Sequence, residues 1–351
     1  MNKSSMFIKN VDICCGLAWG DEAKGKIVTE LIKTNNYDWV CRWSGGSNAG
    51  HTIYINGNKY HSNVIPSGIF YNKKSFIGPQ CFINLEDLDN ELKYLHENGF
   101  DINNLRVSVN VHIISNHHKL EDSSKYKQSQ GSTGKGIAPC ARDKYARTGL
   151  RLIDILNSDV YFKHLTYFNR EIHVMNENLN GNILCEGAQG FWLDIDHGNY
   201  PYVTSSITLP YSACSLGFPP QKIRNIYGAS KIYDTRVGVD PEFDDSLLED
   251  EDLTKIALIG KEFGTVTGRG RKVNWLNIEK LIDSINISGT NIVIISKTDV
   301  LQELGIFKLS NGTIFQSLDS MEKYIEEHLK SNCQYLEKVI FSNSPSNVNF
   351  S

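Results

Sequence analysis

No apolar stretch in this 351-residue sequence approaches the roughly 18 residues that a membrane-crossing helix needs. Neither charge is in surplus: 36 Lys+Arg against 40 Asp+Glu leave −4. That balance argues against a protein that coats nucleic acid or lies on a membrane surface. The eight cysteines include no C-x-x-C pair, which excludes the usual zinc spacing and reads as free thiols in a reducing compartment. Internal repeats, low-complexity tracts and Pro- or Ser-rich linkers are also missing. The opening "MNKSSMFIKNVDICCG" is interrupted by Lys9 and Asp12 and makes a poor signal peptide. With 40% hydrophobic and 10% aromatic residues, the expectation is a soluble, cytoplasmic, mixed α/β protein that binds neither nucleic acid nor membrane.

What is present is a series of short apolar runs, each ending in turn residues. "VDICCGLAWG" reads as a buried strand running into a glycine turn, and "KGKIVTELIKTN" follows with helical spacing at Ile27, Leu31 and Ile32. "DWVCRW", "NILCEGAQG", "RNIYGASKIY" and "NIVIISKTDV" read as further central strands. "NLEDLDNELKYLHENG" and "DSMEKYIEEHLKSNCQYLEKV" read as helices. The pattern predicts one elaborated α/β domain over residues 1–351, with a mostly parallel central sheet, surrounding helices and long active-site loops. "KQSQGSTGKGIAPCARDK" and "GTVTGRGRKVNW" are too long for plain connectors.

Several of these turns carry chemistry. "WGDEAKGK" offers backbone N–H groups at a helix start together with Lys24 and Lys26, which suits phosphate. Asp21 and Glu22 in the same turn would repel phosphate unless a divalent cation stood between them, or unless Asp21 acts as a base. A turn with a solvated charge cluster reads equally from spacing alone. "SGGSNAGHT" sets Asn48 and His51 beyond a strand, as structural residues or as site residues at the sheet's carboxyl edge. "QGSTGKG" has the makings of a second phosphate cradle. "GTVTGRGRK" sets Arg269 and Arg271 where they suit a bidentate grip on a dicarboxylate, and both stretches also read as flexible basic loops. "ISKTDVL" places Lys297 and Asp299 after a strand, in the manner of a guanine reader. The first turn lacks G-x-G-x-x-G, which disfavours a dinucleotide oxidoreductase.

In this order, "WGDEAKGKIV", "GGSNAGHTIYINGNKY", "IPSGIF", "GSTGKGIAP", "DKYARTGLR", "EGAQGFWLDIDHGNYPYVTSS", "TRVGVDP", "EFGTVTGRGRKVNW" and "SKTDV" resemble the segments of the adenylosuccinate synthetase family. The resemblance runs from residue 16 to about 301 and implies a fold related to P-loop NTPases. It also implies an NTP-dependent ligase that joins L-aspartate to C6 of a 6-oxopurine nucleotide through a 6-phosphoryl intermediate, with Mg²⁺. On the matching positions, Asp21 is implied as base and metal ligand, Gly50 as a second metal ligand, His51 as general acid, and Lys24 as a support for the intermediate. Ser132, Thr133, Thr204 and Val237 would hold the nucleotide's phosphate and ribose, with Asn48 and Gln189 facing the purine. Arg147 would reach the partner's site, which implies a homodimer. Thr267, Arg269 and Arg271 would grip L-aspartate. Gly20, Glu22, Ala23, Gly25, Lys26, Thr52, Lys297, Asp299, Ser342 and Pro345 would surround the donor NTP.

The sequence departs from the family pattern at Ala23, where a glycine is usual, at Ile207, at Asp240 with the following "EF", and at "SNSP" (Ser342–Pro345). The changes fall on the sugar wall and the donor pocket. With the short length and "GTVTGR", they resemble the compact archaeal and viral branch, whose phage members join aspartate to dGMP for 2-aminoadenine synthesis. The preferred expectation is therefore dGMP, in a host cytoplasm, with GTP or ATP/dATP as donor. The alternative is the ordinary enzyme using IMP and GTP. A GTP-binding regulatory protein without ligase activity is the rival from another class.

Overall fold

Val11, Ile13, Cys14 and Cys15 in the middle of β1 (Ile8–Gly16) are buried on both faces of a sheet, with Asp12 buried among them and held by Tyr37 and Arg224. Val11, Ile13 and Cys15 point into one core layer, and Cys14 into another with Ile27, Val28 and Leu31. A strand covered on both sides has no polar face to show, which is why it reads as apolar on both faces apart from Asp12. In this computed structural model, which describes residues 7–176, 178–263 and 270–350, eight more strands join β1. They are β2 (Trp39–Arg42), β3 (Lys74–Ile77), β4 (Leu105–Ser108), β5 (Val174–Met175), β6 (Gly181–Glu186), β7 (Ile223–Lys231), β8 (Ile292–Ser296) and β9 (Lys338–Ser342).

The sheet order is β9-β8-β7-β1-β6-β2-β3-β4-β5, and every neighbouring pair is parallel. From β1 the chain works outward through β2 to β5, returns as β6 between β1 and β2, and then crosses to the other side of β1 as β7 to β9. The direction of winding reverses at β1. In open α/β sheets, ligands bind outside the carboxyl ends of the strands at such a reversal. Helices cover both faces as parallel crossovers require: α1 (Lys24–Thr34) lies on one side, α4 (Ile278–Ser288) and α6 (Leu318–Asn332) on the other. A separate apolar cluster under α2 (Leu85–Glu97) joins Leu88, Leu92 and Leu95 to Ile77, Leu105 and Val107.

Two expectations need correction. The stretch "DSMEKYIEEHLKSNCQYLEKV" is not one helix, because α6 ends at Asn332 and Lys338–Ser342 is an edge strand in register with β8. Val339, Ile340 and Phe341 are β-branched or aromatic and fit a pleated surface better than a helix. "KQSQGSTGKGIAPCARDK" is not a long loop either. It is helical at Lys127–Gln130 and again in α3 (Ile137–Ala146), which leaves a short turn around Ser132.

Candidate active site

The loop after β1 resolves how acids and lysines share one anion-binding turn. Glu22 is fully buried and faces inward: its Oε1 accepts from Gly20 N (2.7 Å) and Ala18 N (3.2 Å), and its Oε2 pairs with Lys24 Nζ at 2.5 Å. It is an internal brace of the turn, and its charge is matched by Lys24 before any phosphate arrives. Asp21 and Ala23 both take left-handed backbone, at φ 61° and 63°. For Ala23 that carries steric strain of about 1–2 kcal/mol, which a glycine would not have. The loop after β6 closes over this turn. A Cβ on Gly190 would stand 2.3 Å from Glu22 Oε1, and one on Gly16 would stand 2.8 Å from the Gln189 carbonyl oxygen.

His51 opens a hairpin (His51–Ile55 with Asn58–Ser62) beyond β2 and presses against the start of α1, where a Cβ on Gly25 would meet Thr52 O at 3.0 Å. Its Nδ1 is hydrogen-bonded to Glu186 Oε1 at the end of β6, and Arg42 Nη1, from the end of β2, lies 3.1 Å from the ring nitrogens. Ser67 N and Ser67 Oγ, each at 2.7 Å, donate to the same carboxylate. Burial alone would raise the Glu186 carboxyl. The facing imidazole and the Arg42 guanidinium, with hydrogen bonds from His51 and Ser67, outweigh it and hold it at about 2. Burial and the adjacent Arg42 lower the His51 imidazole against the pull of Glu186. A proton on Nδ1 is the one that meets Glu186, whose oxygen accepts it.

A second charged cluster ties Asp21 to Arg271. Arg271 Nε donates to Asp21 Oδ2 at 2.9 Å, and its Nη1 donates to Glu262 Oε2 at 2.5 Å. Lys297, in left-handed backbone at the end of β8, donates to Gly260 O at 2.6 Å, while Asp299 is exposed in the first turn of α5 (Thr298–Leu304). Lys26 is buried and donates to Ser342 Oγ and Ser344 O, both at 2.9 Å, joining α1 to the end of β9. Burial lowers its ammonium to about 8, with Asp299 opposing the fall and Lys297 adding to it. Pro345 is exposed beside this junction.

At the second glycine-rich turn, Ser132 donates to Asp122 Oδ1 at 2.6 Å, and Gly136 N donates to the other oxygen of the same buried carboxylate. Thr133 is half-buried next to it, and Gly131 abuts Gly238 and Val239, so the Ser132 turn and the Val237 turn meet. Thr204 N donates to Leu193 O at 2.8 Å. Asn48 folds back to accept from Gly46 N, and Gln189, at φ 54°, keeps Oε1 buried without a protein partner. Arg147 stands apart from all of these, exposed and in left-handed backbone at the end of α3. Thr267 and Arg269 lie outside the described residues.

Among the described residues no cluster of three or more His, Cys, Asp or Glu is placed to hold a metal. The residues present still fit Mg²⁺, which takes most of its ligands from phosphate and water and needs only one or two protein oxygens. Asp21, with its side chain 28% exposed, and the Gly50 carbonyl are of that kind. Arg42, Glu186 and Glu262 were missed by motif reading. The signal that could have found the first two is a charge inside an otherwise apolar strand, in "DWVCRW" and "NILCEG".

A family model for adenylosuccinate synthetase matches residues 13–180 and 161–340. The chain is 36% identical to adenylosuccinate synthetase of an Exiguobacterium species, over 93% of this chain and 85% of that one. It is 39% identical to the enzyme of Thermodesulfovibrio yellowstonii, over 86% and 80%. Fully ligated adenylosuccinate synthetase from Plasmodium falciparum superposes with a TM-score of 0.79 at 26% identity, covering 97% of this chain and 98% of that one. The succinoaminodeoxyadenylate synthetase of cyanophage S-2L, bound to dGMP and dATP, shares the fold at a TM-score of 0.71 and 20% identity, over 97% and 94%.

Proposed function

This chain belongs to the adenylosuccinate synthetase family of NTP-dependent C–N ligases, and on that premise we propose that it condenses L-aspartate with IMP at the expense of GTP. The observation that carries the reading is the 2.9 Å contact between Asp21 and Arg271. It brings the residue suited to take the purine N1 proton beside the residue suited to hold an amino-acid carboxylate, at the point where the sheet's winding reverses. Arg271 also holds the Asp21 carboxylate in a fixed direction, as a base requires.

Removal of the N1 proton by Asp21 makes O6 nucleophilic toward the donor's γ-phosphorus, and attack there breaks the β–γ P–O bond and releases the nucleoside diphosphate. The buried Glu186 carboxylate, ion-paired with the ring, favours the protonated imidazole, whose other ring N–H would then donate a hydrogen bond to approaching phosphoryl oxygens. The amine of aspartate then adds at C6 and phosphate departs with the O6 oxygen. Lys24, neutralised at rest by Glu22, and the backbone N–H groups of the turn hold the phosphates. Mg²⁺, bound by Asp21 and the Gly50 carbonyl, would neutralise charge on the transferring group.

IMP replaces dGMP as the preferred purine for two reasons. The 35–39% identical relatives are bacterial adenylosuccinate synthetases. Asp240, the departure on the sugar wall, is buried and holds its own loop through Arg236 (3.4 Å) and Asn199 Nδ2 (2.9 Å), so it has partners other than a sugar. The test is phosphate release with GTP, comparing kcat/KM for IMP and dGMP in the presence of L-aspartate. Release that needs both purine and aspartate, at least about tenfold better with IMP, is expected. A preference for dGMP overturns the substrate, and release without aspartate overturns the ligase.

A further inference from the structure

Glu262 is a buried charge to which the reaction above gives no task, and it touches more of the site's cations than any single substrate-facing residue described here. It follows the helix Glu251–Ile259, and its main chain is tied at both ends: Glu262 N donates to Ala257 O (2.9 Å), and its carbonyl accepts from Arg271 N (3.0 Å). The carboxylate is shared. Oε2 accepts from Arg271 Nη1 at 2.5 Å and from Lys231 Nζ at 3.2 Å, while Oε1 accepts from the Tyr233 hydroxyl at 2.6 Å and stands 3.8 Å from Lys297 Nζ. Lys231 ends β7, Tyr233 opens the short strand Tyr233–Arg236, Arg271 directly precedes its antiparallel mate Lys272–Trp275, and Lys297 follows β8. Burial would raise the acid, but the charges of Lys231, Arg271 and Lys297, with the Tyr233 hydrogen bond, hold it at about 2.

One ionised carboxylate thus faces three cations, and among the described residues Asp21 is the other carboxylate paired with Arg271. The direction in which Arg271, Lys231 and Lys297 point depends on Glu262. Without that carboxylate the cations would repel one another in a poorly solvated space. We infer that Glu262 is a positioning residue that aims Arg271 at the carboxylate of the amino-acid substrate and, through Lys297, couples that site to the donor's base. The inference rests on the proposed reaction. It assigns to one side chain a link between two substrates that need not touch each other.

The test is steady-state kinetics of Glu262→Gln, which keeps the shape and removes the charge, beside the unaltered chain. KM for L-aspartate is expected to rise by about tenfold or more, the equivalent of 1.4 kcal/mol, with KM for the purine nucleotide within about twofold. The preference for GTP over ATP is expected to shrink in the same variant. Glu262→Asp retains charge but withdraws it by one methylene, and is expected to fall between the two in aspartate KM. It also serves if the glutamine variant does not fold. A proportional change in all KM values, a loss confined to kcat, or an unchanged aspartate KM in either variant overturns the inference alone. An unaltered chain whose phosphate release ignores aspartate overturns the reaction and the inference together.

Discussion

Lys26 shows how much of a residue's chemistry depends on what the chain packs around it. Its sequence context marks it as a phosphate ligand, but its ammonium is buried between α1 and the end of β9 and titrates at about 8. In the free enzyme the charge is lost as pH rises through that value, so kcat/KM for the donor nucleotide is expected to fall from about pH 7 to pH 9. Folding stability should move the other way. Between about 8 and the ordinary lysine value the unfolded chain holds the extra proton, so stability rises with pH across that window. Lys26→Arg, which stays charged, should remove the alkaline fall in donor kcat/KM, and an unaltered profile in that variant would assign the fall to another group. Ala23 carries a different lesson at the same scale. Its departure from glycine is plain in the sequence, but its cost depends on the sign of φ, which only the fold reveals.

At the scale of elements, the loops matter through the space they leave each other. Gly190 has ordinary extended backbone (φ −146°), so conformational freedom is not the reason for a glycine there. A side chain would meet Glu22 Oε1 at 2.3 Å, Ala18 O at 2.4 Å and Gly20 N at 2.7 Å, and Glu22 cannot yield because it braces the turn. Gly190→Ala is expected to destabilise the chain by about 1–3 kcal/mol and to weaken donor binding, read from urea midpoints and donor KM. Unchanged midpoints would mean the two loops move apart freely. The central strands were legible because burial on both faces leaves mostly apolar runs between turns. β5, with two residues, and β9, continuous with a helical stretch, were not. The same limit applies to the site. Asp21, His51 and the arginine turn are local patterns, whereas the acid that meets His51 and the Asp21 that meets Arg271 lie far away in sequence, and spacing says nothing about which distant acid a histidine will meet. Glu186 is 135 residues from His51.

For the whole molecule, the question is whether one chain holds a complete site. Arg147 is exposed at the end of α3, with Tyr145 and Leu150 also exposed nearby, as suits a residue that serves a second copy. If it does, Asp21→Ala and Arg147→Ala should each be inactive alone, and equal mixing after subunit exchange should restore about a quarter of full activity. Half the dimers are then mixed, and each has one intact site. No recovery on mixing, with exchange verified by a labelled subunit, would confine Arg147 to its own chain.

The bond from Lys26 to Ser342 also sets an order in time. It spans 316 positions, from the first helix to the ninth strand, so the donor pocket cannot exist while a nascent chain is still short of that strand. During synthesis β1, α1 and β2 can be made early, but the wall formed by Ser342 and Ser344 docks only after most of the sheet is assembled. A chain still short of Ser342 lacks this wall, and fragments that stop before it are expected to show no donor-dependent phosphate release.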